Sequence, residues 1–472
     1  MSRQKRTYLG RLWLHWCENC NLPVLDKTCG RCKSQTVMVK ITPPGDIRPA
    51  FQYDIDLINQ VTESQYNERL VPAKRVVVLN RAPYEDRMDE VILDGAVMGA
   101  LRFEVPEKRW RFLPRLEGAA RIFNRETDLS RRKGWVRIDE GAVGFVERGA
   151  NVLAPGVIDA DREIMVDSEV VVLTPDGRVV ACGRARMSGE DMITATKGVA
   201  VKTRWHGMPR GNLPDDEHEW SSAVVANRDV LERYVKRARE FIRGVVASVD
   251  RPITVSYSGG KDSLATLLLV EEALRESELK REFDLLFVDT GLEFPETVRN
   301  VECVTKEYNL NLLRASAGNR FWESFEELGP PSPAMRWCCK VCKLTPIKEL
   351  IEREYPEGCL SFIGQRRYES SARAKSEHVW KNHSVENQIG ASPIQNWTAM
   401  HVWLYLFSKN APYNRLYEEG FDRIGCWLCP SAEMADLIRV RESYPELWKR
   451  FEEALERRRL GGEDRQMILH KA

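Results

Sequence analysis

The chain has 472 residues, enough for roughly two to four domains that each bury a core. Its 71 basic and 70 acidic residues leave a net charge of +1, so overall charge favours no class of partner and any RNA-binding face has to be a local patch. No apolar run approaches the roughly 18 residues of a spanning helix, and Arg11 and Cys17 interrupt the N-terminus too early for a signal peptide, so a cytoplasmic protein without a membrane partner is expected.

Twelve cysteines in a cytoplasmic chain point to metal or redox chemistry rather than disulfides. Nine of them fall in two clusters, while Cys182, Cys303 and Cys359 stand apart in apolar or mixed surroundings and read as core residues. The first cluster lies within residues 1–41 as Cys17-x-x-Cys20 and Cys29-x-x-Cys32. Two such knuckles bring four thiolates into a tetrahedron, which suits zinc and predicts a zinc ribbon. Gly30 is expected to let the second knuckle turn its amides toward sulfur. The ribbon either folds a segment too small for a core of its own or touches nucleic acid.

Pro43-Pro44-Gly45-Asp46 marks a linker into an accessory α/β region, 42–133, with a helix near Asp54–Glu68 and strands near Arg75–Asn80 and Glu90–Leu93. No catalytic constellation is visible there. Residues 134–205 carry short alternating strands and glycine turns, such as Glu169–Leu173, Pro175-Asp176-Gly177 and Val179–Ala181, the pattern of a small β-barrel. Within it, Gly149–Val157, which includes Asn151, and Lys197–Val201 resemble the PUA domain. That resemblance implies RNA binding, with Gly149, Asn151, Lys197, Lys202 and Arg204 as contacts and Arg131, Arg132 and Lys133 nearby to neutralise phosphates. Residues 206–229, with Gly207, Pro209, Gly211, Pro214 and the acidic run Asp215–Glu217, read as a linker.

From 230 to 472 a helix near Val230–Val246 precedes apolar strands at Ile253–Tyr257, Leu285–Asp289, Leu310–Ala315 and Leu360–Gly364, alternating with helical segments. This predicts a doubly wound parallel sheet, with ligands beyond the carboxyl ends of its strands. After the first strand comes Ser258-Gly259-Gly260-Lys261-Asp262-Ser263. Adjacent glycines allow positive φ, the following helix, read as opening at Ser263, aims its amides and dipole at one spot, and Lys261 adds charge, so phosphate is the natural ligand. The Walker pattern G-x-x-x-x-G-K-[ST] is absent, since an Asp follows the lysine. The segment resembles the SGGKDS signature of the PP-loop pyrophosphatase superfamily, whose members bind adenine nucleotides.

Two further strand ends carry Asp289-Thr290-Gly291-Leu292-Glu293-Phe294-Pro295-Glu296-Thr297 and Gly364-Gln365-Arg366-Arg367-Tyr368-Glu369-Ser370. With the loop they resemble, in order over about 250–430, the motifs of the PAPS reductase (sulfonucleotide reductase) family. Arg366 and Arg367 are expected to fork phosphate or sulfate oxygens, and Asp289 to meet a ribose hydroxyl or a magnesium ion; Thr290, Gly364 and Glu369 complete the nucleotide set.

The second cysteine cluster is Cys338-Cys339-Lys340-Val341-Cys342 with Cys426-Trp427-Leu428-Cys429. Thr345-Pro346 reads as a helix start, which places three thiols on the preceding turn with lysines to favour thiolates. The spacing resembles the pattern that holds a 4Fe–4S cluster in adenylyl-sulfate reductases, with zinc as the rival metal. Two departures stand out. Cys342 is a fifth thiol, either a ligand or a free nucleophile. No cysteine follows Cys429, whereas reductases of this family attack sulfur with a cysteine in an ECGLH-like tail; here the tail offers Met467 and His470.

Three functions follow. The first is an RNA-modifying enzyme acting on tRNA, which adenylates a base carbonyl with ATP at Lys261 and Asp262 and receives sulfur from a donor through the cluster or Cys342. The second is a PAPS or APS reductase that draws electrons from a donor and releases sulfite. The third is a non-catalytic iron–sulfur sensor that binds nucleotide or RNA.

Overall fold

The computed structural model describes residues 9, 14–43, 46–123, 127–211, 217–276, 281–382, 385 and 387–460. The expectations for Arg11, Pro44, Gly45, Pro214, Asp215, Asp216 and the tail from Gly461 through Met467 to His470 lie outside the described residues. The chain forms two compact units, Trp13–Ala226 and Met1–Leu12 with Asn227–Ala472. None of the described helices is long and apolar enough to cross a membrane.

In the first unit, antiparallel strands Leu22–Val24, His15–Cys17 and Val37–Met38 carry the N-terminal knuckles. A five-stranded antiparallel sheet follows in the order Ile47–Pro49, Val78–Arg81, Met88–Leu93, Ala96–Glu104, Arg109–Pro114. Its helix, Gln52–Tyr66, begins two residues before the sequence suggests. Asp54 explains the earlier start: its carboxylate accepts from the Phe51 N–H at 3.0 Å and pairs with Arg48 at 2.7 Å, satisfying the helix entrance.

The six-stranded sheet of the next region runs Val152–Leu153, Val199–His206, Val179–Ala185, Glu169–Leu173, Trp135–Ile138, Val157–Ala160. Strand Glu169–Leu173 is buried on both faces. Side chains alternate across a strand, so Val170 and Val172 enter this region's own core, while Val171 and Leu173 join a core shared with the Gln52–Tyr66 helix and the five-stranded sheet. Cys182 belongs to that shared core, as its apolar neighbours suggest.

The second unit is built on a six-stranded sheet ordered Asn311–Ser316, Phe283–Asp289, Ile253–Ser256, Cys359–Ile363, Gln388–Ala391, Val379–Lys381. The last strand is antiparallel and the other five are parallel. The chain winds outward from Ile253–Ser256 in one direction, then returns to Cys359–Ile363 on the other side. That reversal opens a crevice at the carboxyl ends of these two strands, where ligands of such sheets bind. Helix Arg228–Ser248 precedes the sheet. Cys359 is buried, as expected, but Cys303 is exposed. It lies on helix Pro295–Glu307, whose apolar stripe consists of Val301 and Val304; position 303 turns away from that stripe.

Candidate nucleotide site and cysteine centres

The Ser258–Ser263 loop sits at the crevice. Gly259 has φ +72°, a conformation that favours glycine, and a Cβ there would lie 2.8 Å from Thr297 Cγ2. Gly260 is extended at φ −94° and precedes a helix that begins at Lys261, two residues before the expected start. The Lys261 N–H donates to the Tyr417 hydroxyl at 2.8 Å, and the Ser258 N–H donates to Ser263 Oγ at 3.2 Å. The N–H groups of Gly259, Gly260, Asp262 and Ser263 have no acceptor among the described residues. Four amides converging at a helix entrance make an anion cradle.

Asp262 organises the charge beneath the loop. Its carboxylate accepts from Lys261 Nζ at 3.0 Å and Arg366 Nε at 2.6 Å, and all three side chains are nearly buried. Burial works against the charge of both Lys261 and Asp262, yet the neighbours win. Arg366 and Lys261 hold the Asp262 carboxyl below its ordinary value, and Asp262 keeps the Lys261 ammonium above its own. The guanidinium of Arg366 is thus committed to Asp262, which corrects the expectation of two arginines forking one anion together. Arg367 Nε donates instead to the Leu9 carbonyl at 2.7 Å.

Gly364 is required by close approach: a Cβ there would lie 2.5 Å from the Asp262 carbonyl. Asp289 accepts from Arg314 at 2.8 Å and from the Gly291 N–H at 3.0 Å, so both its oxygens have partners within the protein. Above the loop opens a cleft of about 150 Å³. Ser258, Gly260, Lys261, Asp262, Ser263 and Gly364 line it together with Glu369 and Arg373. Tyr417, Arg423 and Ile424 complete it. Sequence reasoning missed Arg373, Tyr417 and Arg423, because no local pattern announces a side chain that reaches the loop from so far along the chain.

The C-terminal cysteines meet the Asp289–Thr297 segment at Thr290. The Thr290 hydroxyl lies 3.4 Å from Cys426 Sγ and donates to Glu293 at 2.8 Å. Trp337–Cys339 forms a helical turn that widens into a π turn at Lys340–Leu344 and continues as Thr345–Glu354. The three thiols therefore ride on helix, not on a turn before one, and Thr345 is itself helical, its hydroxyl donating to the Lys340 carbonyl at 3.0 Å. Pro346 supplies the reason: it has no N–H and its ring crowds the preceding turn, and the π turn makes room for it.

The five thiols sense one another. The hydrogen bond between the adjacent pair lowers Cys339 to about 5 and raises Cys338, while burial pushes Cys342 up to about 11. Arg336 donates to Cys339 Sγ at 3.3 Å, and Cys426 beside Lys343 keeps that ammonium above its ordinary value. Cys342 is 2% exposed and packs in an aromatic core with Phe321, Trp322 and Trp427, so its thiol has the surroundings of a ligand or core residue rather than of an open nucleophile.

The two cysteine sets differ in spacing. Sγ atoms of Cys17, Cys20, Cys29 and Cys32 all lie within 4.8 Å of one another, close to the roughly 3.8 Å edge of a tetrahedron with 2.3 Å zinc–sulfur bonds. Among the described residues, no three of the C-terminal thiols gather that tightly. The all-sulfur donor set of Cys338, Cys339, Cys342, Cys426 and Cys429 suits a soft metal or a metal–sulfur group. Gly30 keeps its place in the ribbon by close approach rather than by a left-handed turn: its N–H donates to the Ala226 carbonyl at 2.7 Å, and a Cβ would lie 2.9 Å from that oxygen.

On the six-stranded sheet of the first unit, Gly149 has φ +99°, and Asn151 Oδ1 accepts from the Thr203 N–H at 3.1 Å. Lys197 and Lys202 are exposed. Arg204 is not a free cation: it forks both oxygens of buried Glu169 at 2.7 and 3.0 Å. Arg131, Arg132 and Lys133 pair with Asp128, Glu68 and Glu163. Phe145, 63% exposed with Arg148 over its ring, is an aromatic surface residue that the sequence did not single out.

Residues 252–432 match the phosphoadenosine phosphosulfate reductase domain, and 134–206 match the PUA domain. An uncharacterized protein of Methanocaldococcus jannaschii, MJ0066, is 38% identical over 457 residues, covering 95% of this chain and 93% of its own. The chain belongs to one family with MJ0066 and contains a phosphoadenosine phosphosulfate reductase domain and a PUA domain. An adenosine 5′-phosphosulfate reductase of Geobacillus sp. (strain WCH70) is 30% identical over 159 residues, 33% of this chain and 65% of its own. The phosphoadenylyl-sulfate reductase of Candida auris, solved as a phosphate complex, is similar at 19% identity and a TM-score of 0.32, over 43% of this chain and 96% of its own. The reductase-domain match contains the whole cleft and all five C-terminal thiols of the cluster, and the PUA match contains Gly149, Asn151, Lys197, Lys202 and Arg204.

Proposed function

We propose that this chain is a nucleotide-dependent RNA-modifying enzyme, with tRNA as substrate. The observation that carries the reading is the set of four unpartnered loop amides with Lys261 at the sheet crevice, in a domain that also carries five thiols and in a chain that also holds a PUA domain.

In this reading the cradle and Lys261 bind a phosphoryl group of the ATP tail and stabilise the charge that develops on departing pyrophosphate. A base carbonyl oxygen attacks the α-phosphorus, giving an O-adenylated base and pyrophosphate. The terminal sulfur of a persulfide then attacks the activated carbon and displaces AMP, which leaves with the former carbonyl oxygen; a dithiol cleaves the resulting S–S bond, takes the donor's own sulfur away as a thiol and is itself oxidised to a disulfide, leaving the thiocarbonyl base. Asp262 and Arg366 hold Lys261 in position, and Ser263 Oγ, donating to the Gly260 carbonyl at 2.8 Å, fixes the loop. Four of Cys338, Cys339, Cys342, Cys426 and Cys429 would hold a 4Fe–4S cluster, which supplies a Lewis-acidic and redox-active centre when bound. Cys17, Cys20, Cys29 and Cys32 would hold zinc, and the PUA domain with Gly149, Asn151, Lys197 and Lys202 would hold RNA.

A second reading, sulfonucleotide reduction with release of sulfite, draws on the reductases among the relatives. One experiment separates the two. Chain purified without oxygen is incubated with tRNA, ATP, a persulfide donor and a dithiol, and in parallel with PAPS or APS and a dithiol. Thiolated nucleosides by mass spectrometry are expected from the first incubation and no sulfite from the second. Sulfite without nucleoside change would replace the first reading with the second.

A further inference from the structure

The charges around the cleft do not balance. Lys261 and Arg366 share Asp262, and Arg373 pairs with Glu369. Arg423 also lines the cleft, is exposed, and has no ion-pair or hydrogen-bond partner among the described residues. No described carboxylate pairs with it. The loop that lines the same cleft offers unpartnered N–H groups to an anionic group. Arg423 therefore demands a second. It also lies three residues before Cys426 in the chain, and the next residue, Ile424, lines the cleft too.

We propose that Arg423 is a specificity-determining residue that binds the second anionic group of the nucleotide tail, so that the cleft selects adenine nucleotides with two or more such groups over the monophosphate. This rests on the nucleotide-binding reading above. A guanidinium suits the task because its planar fork meets two oxygens of a phosphoryl or sulfuryl group at once. A shared chemistry, an adenosine 5′-ester with an anionic extension, covers both ATP and the sulfonucleotides, and their relative affinities name the source.

The test is equilibrium binding of AMP, ATP, APS and PAPS to the full chain and to Arg423→Ala and Arg423→Lys. Arg423→Ala is expected to weaken its best extended nucleotide by about 10- to 100-fold and AMP by less than about twofold, with Arg423→Lys in between. Unchanged thermal unfolding is expected, since the side chain has no partner to lose. Equal losses for AMP and the extended nucleotides, or no loss for either, would overturn the inference while leaving nucleotide binding intact. Wild-type chain that binds none of the four would overturn the underlying reading instead, and the inference with it.

Discussion

Asp262→Ala is expected to destabilise the second unit by about 3–5 kcal/mol, the usual cost of leaving buried charges without their counter-ion. The carboxylate answers two cations, Lys261 and Arg366, whose side chains are only 7% and 3% exposed. With a total stability of roughly 5–15 kcal/mol for a typical domain, such a loss moves the urea midpoint far enough to measure without ambiguity. Asp262→Asn retains shape and one acceptor oxygen and should cost less.

The pH dependence follows from the same geometry. The Asp262 carboxyl is held below its ordinary value, so its stabilising contribution is fully present above the unfolded-state pKa and disappears as pH falls through the depressed folded value. Lys261 is held above its ordinary value; its contribution is full below the unfolded-state pKa and is lost only as pH rises through the raised one. Wild type should therefore lose this stabilisation at both extremes, and Asp262→Ala should lack both limbs. A variant with wild-type stability at neutral pH would show that the three charges are not coupled as described.

Cys29→Ser is expected to remove one equivalent of metal and to unfold the segment around residues 14–43. Small thiolate sites of this kind are folded by their ion, with apparent binding free energies of about 10–16 kcal/mol in zinc-finger peptides. Cys17 and Cys29 are fully buried, so a lost ligand leaves an opened core rather than a surface defect. The strands here are two or three residues long and cannot hold the segment without the ion. Limited proteolysis should cut the variant within this segment, and metal analysis should show the loss. Binding should weaken in acid: burial pushes the Cys20 thiol up to about 11, so the ion must displace a proton there, whereas hydrogen bonds from Ser34 lower Cys32 to about 6. Full metal occupancy in Cys29→Ser would exclude a four-thiolate site.

Much of this architecture was legible because its signals are local. The phosphate loop, the strand ends around it and both C-x-x-C knuckles are carried by residues adjacent in sequence, and the structure puts them where spacing suggests. The exceptions have identifiable causes. Thr345-Pro346 imitates a helix start, but a π turn lets the helix run through the proline. Cys303 has apolar neighbours in sequence and yet faces outward, since Thr297, Val301 and Val304 define the buried stripe there. Arg204 and Arg366 look like anion ligands on paper; their carboxylate partners, Glu169 and Asp262, are 35 and 104 residues away. Tyr417 reaches the loop across 156 residues, and Arg423 enters the same cleft unannounced by any motif. Long-range partners of this sort are set by tertiary packing, which a local pattern does not encode.

The most direct test of the account is calorimetric titration of ATP into the wild-type chain and into Lys261→Ala. One ATP per chain is predicted for wild type, with affinity lowered at least about tenfold by the substitution. Absence of ATP uptake by wild type, or uptake that Lys261→Ala leaves untouched, would contradict a phosphate cradle at the sheet crevice.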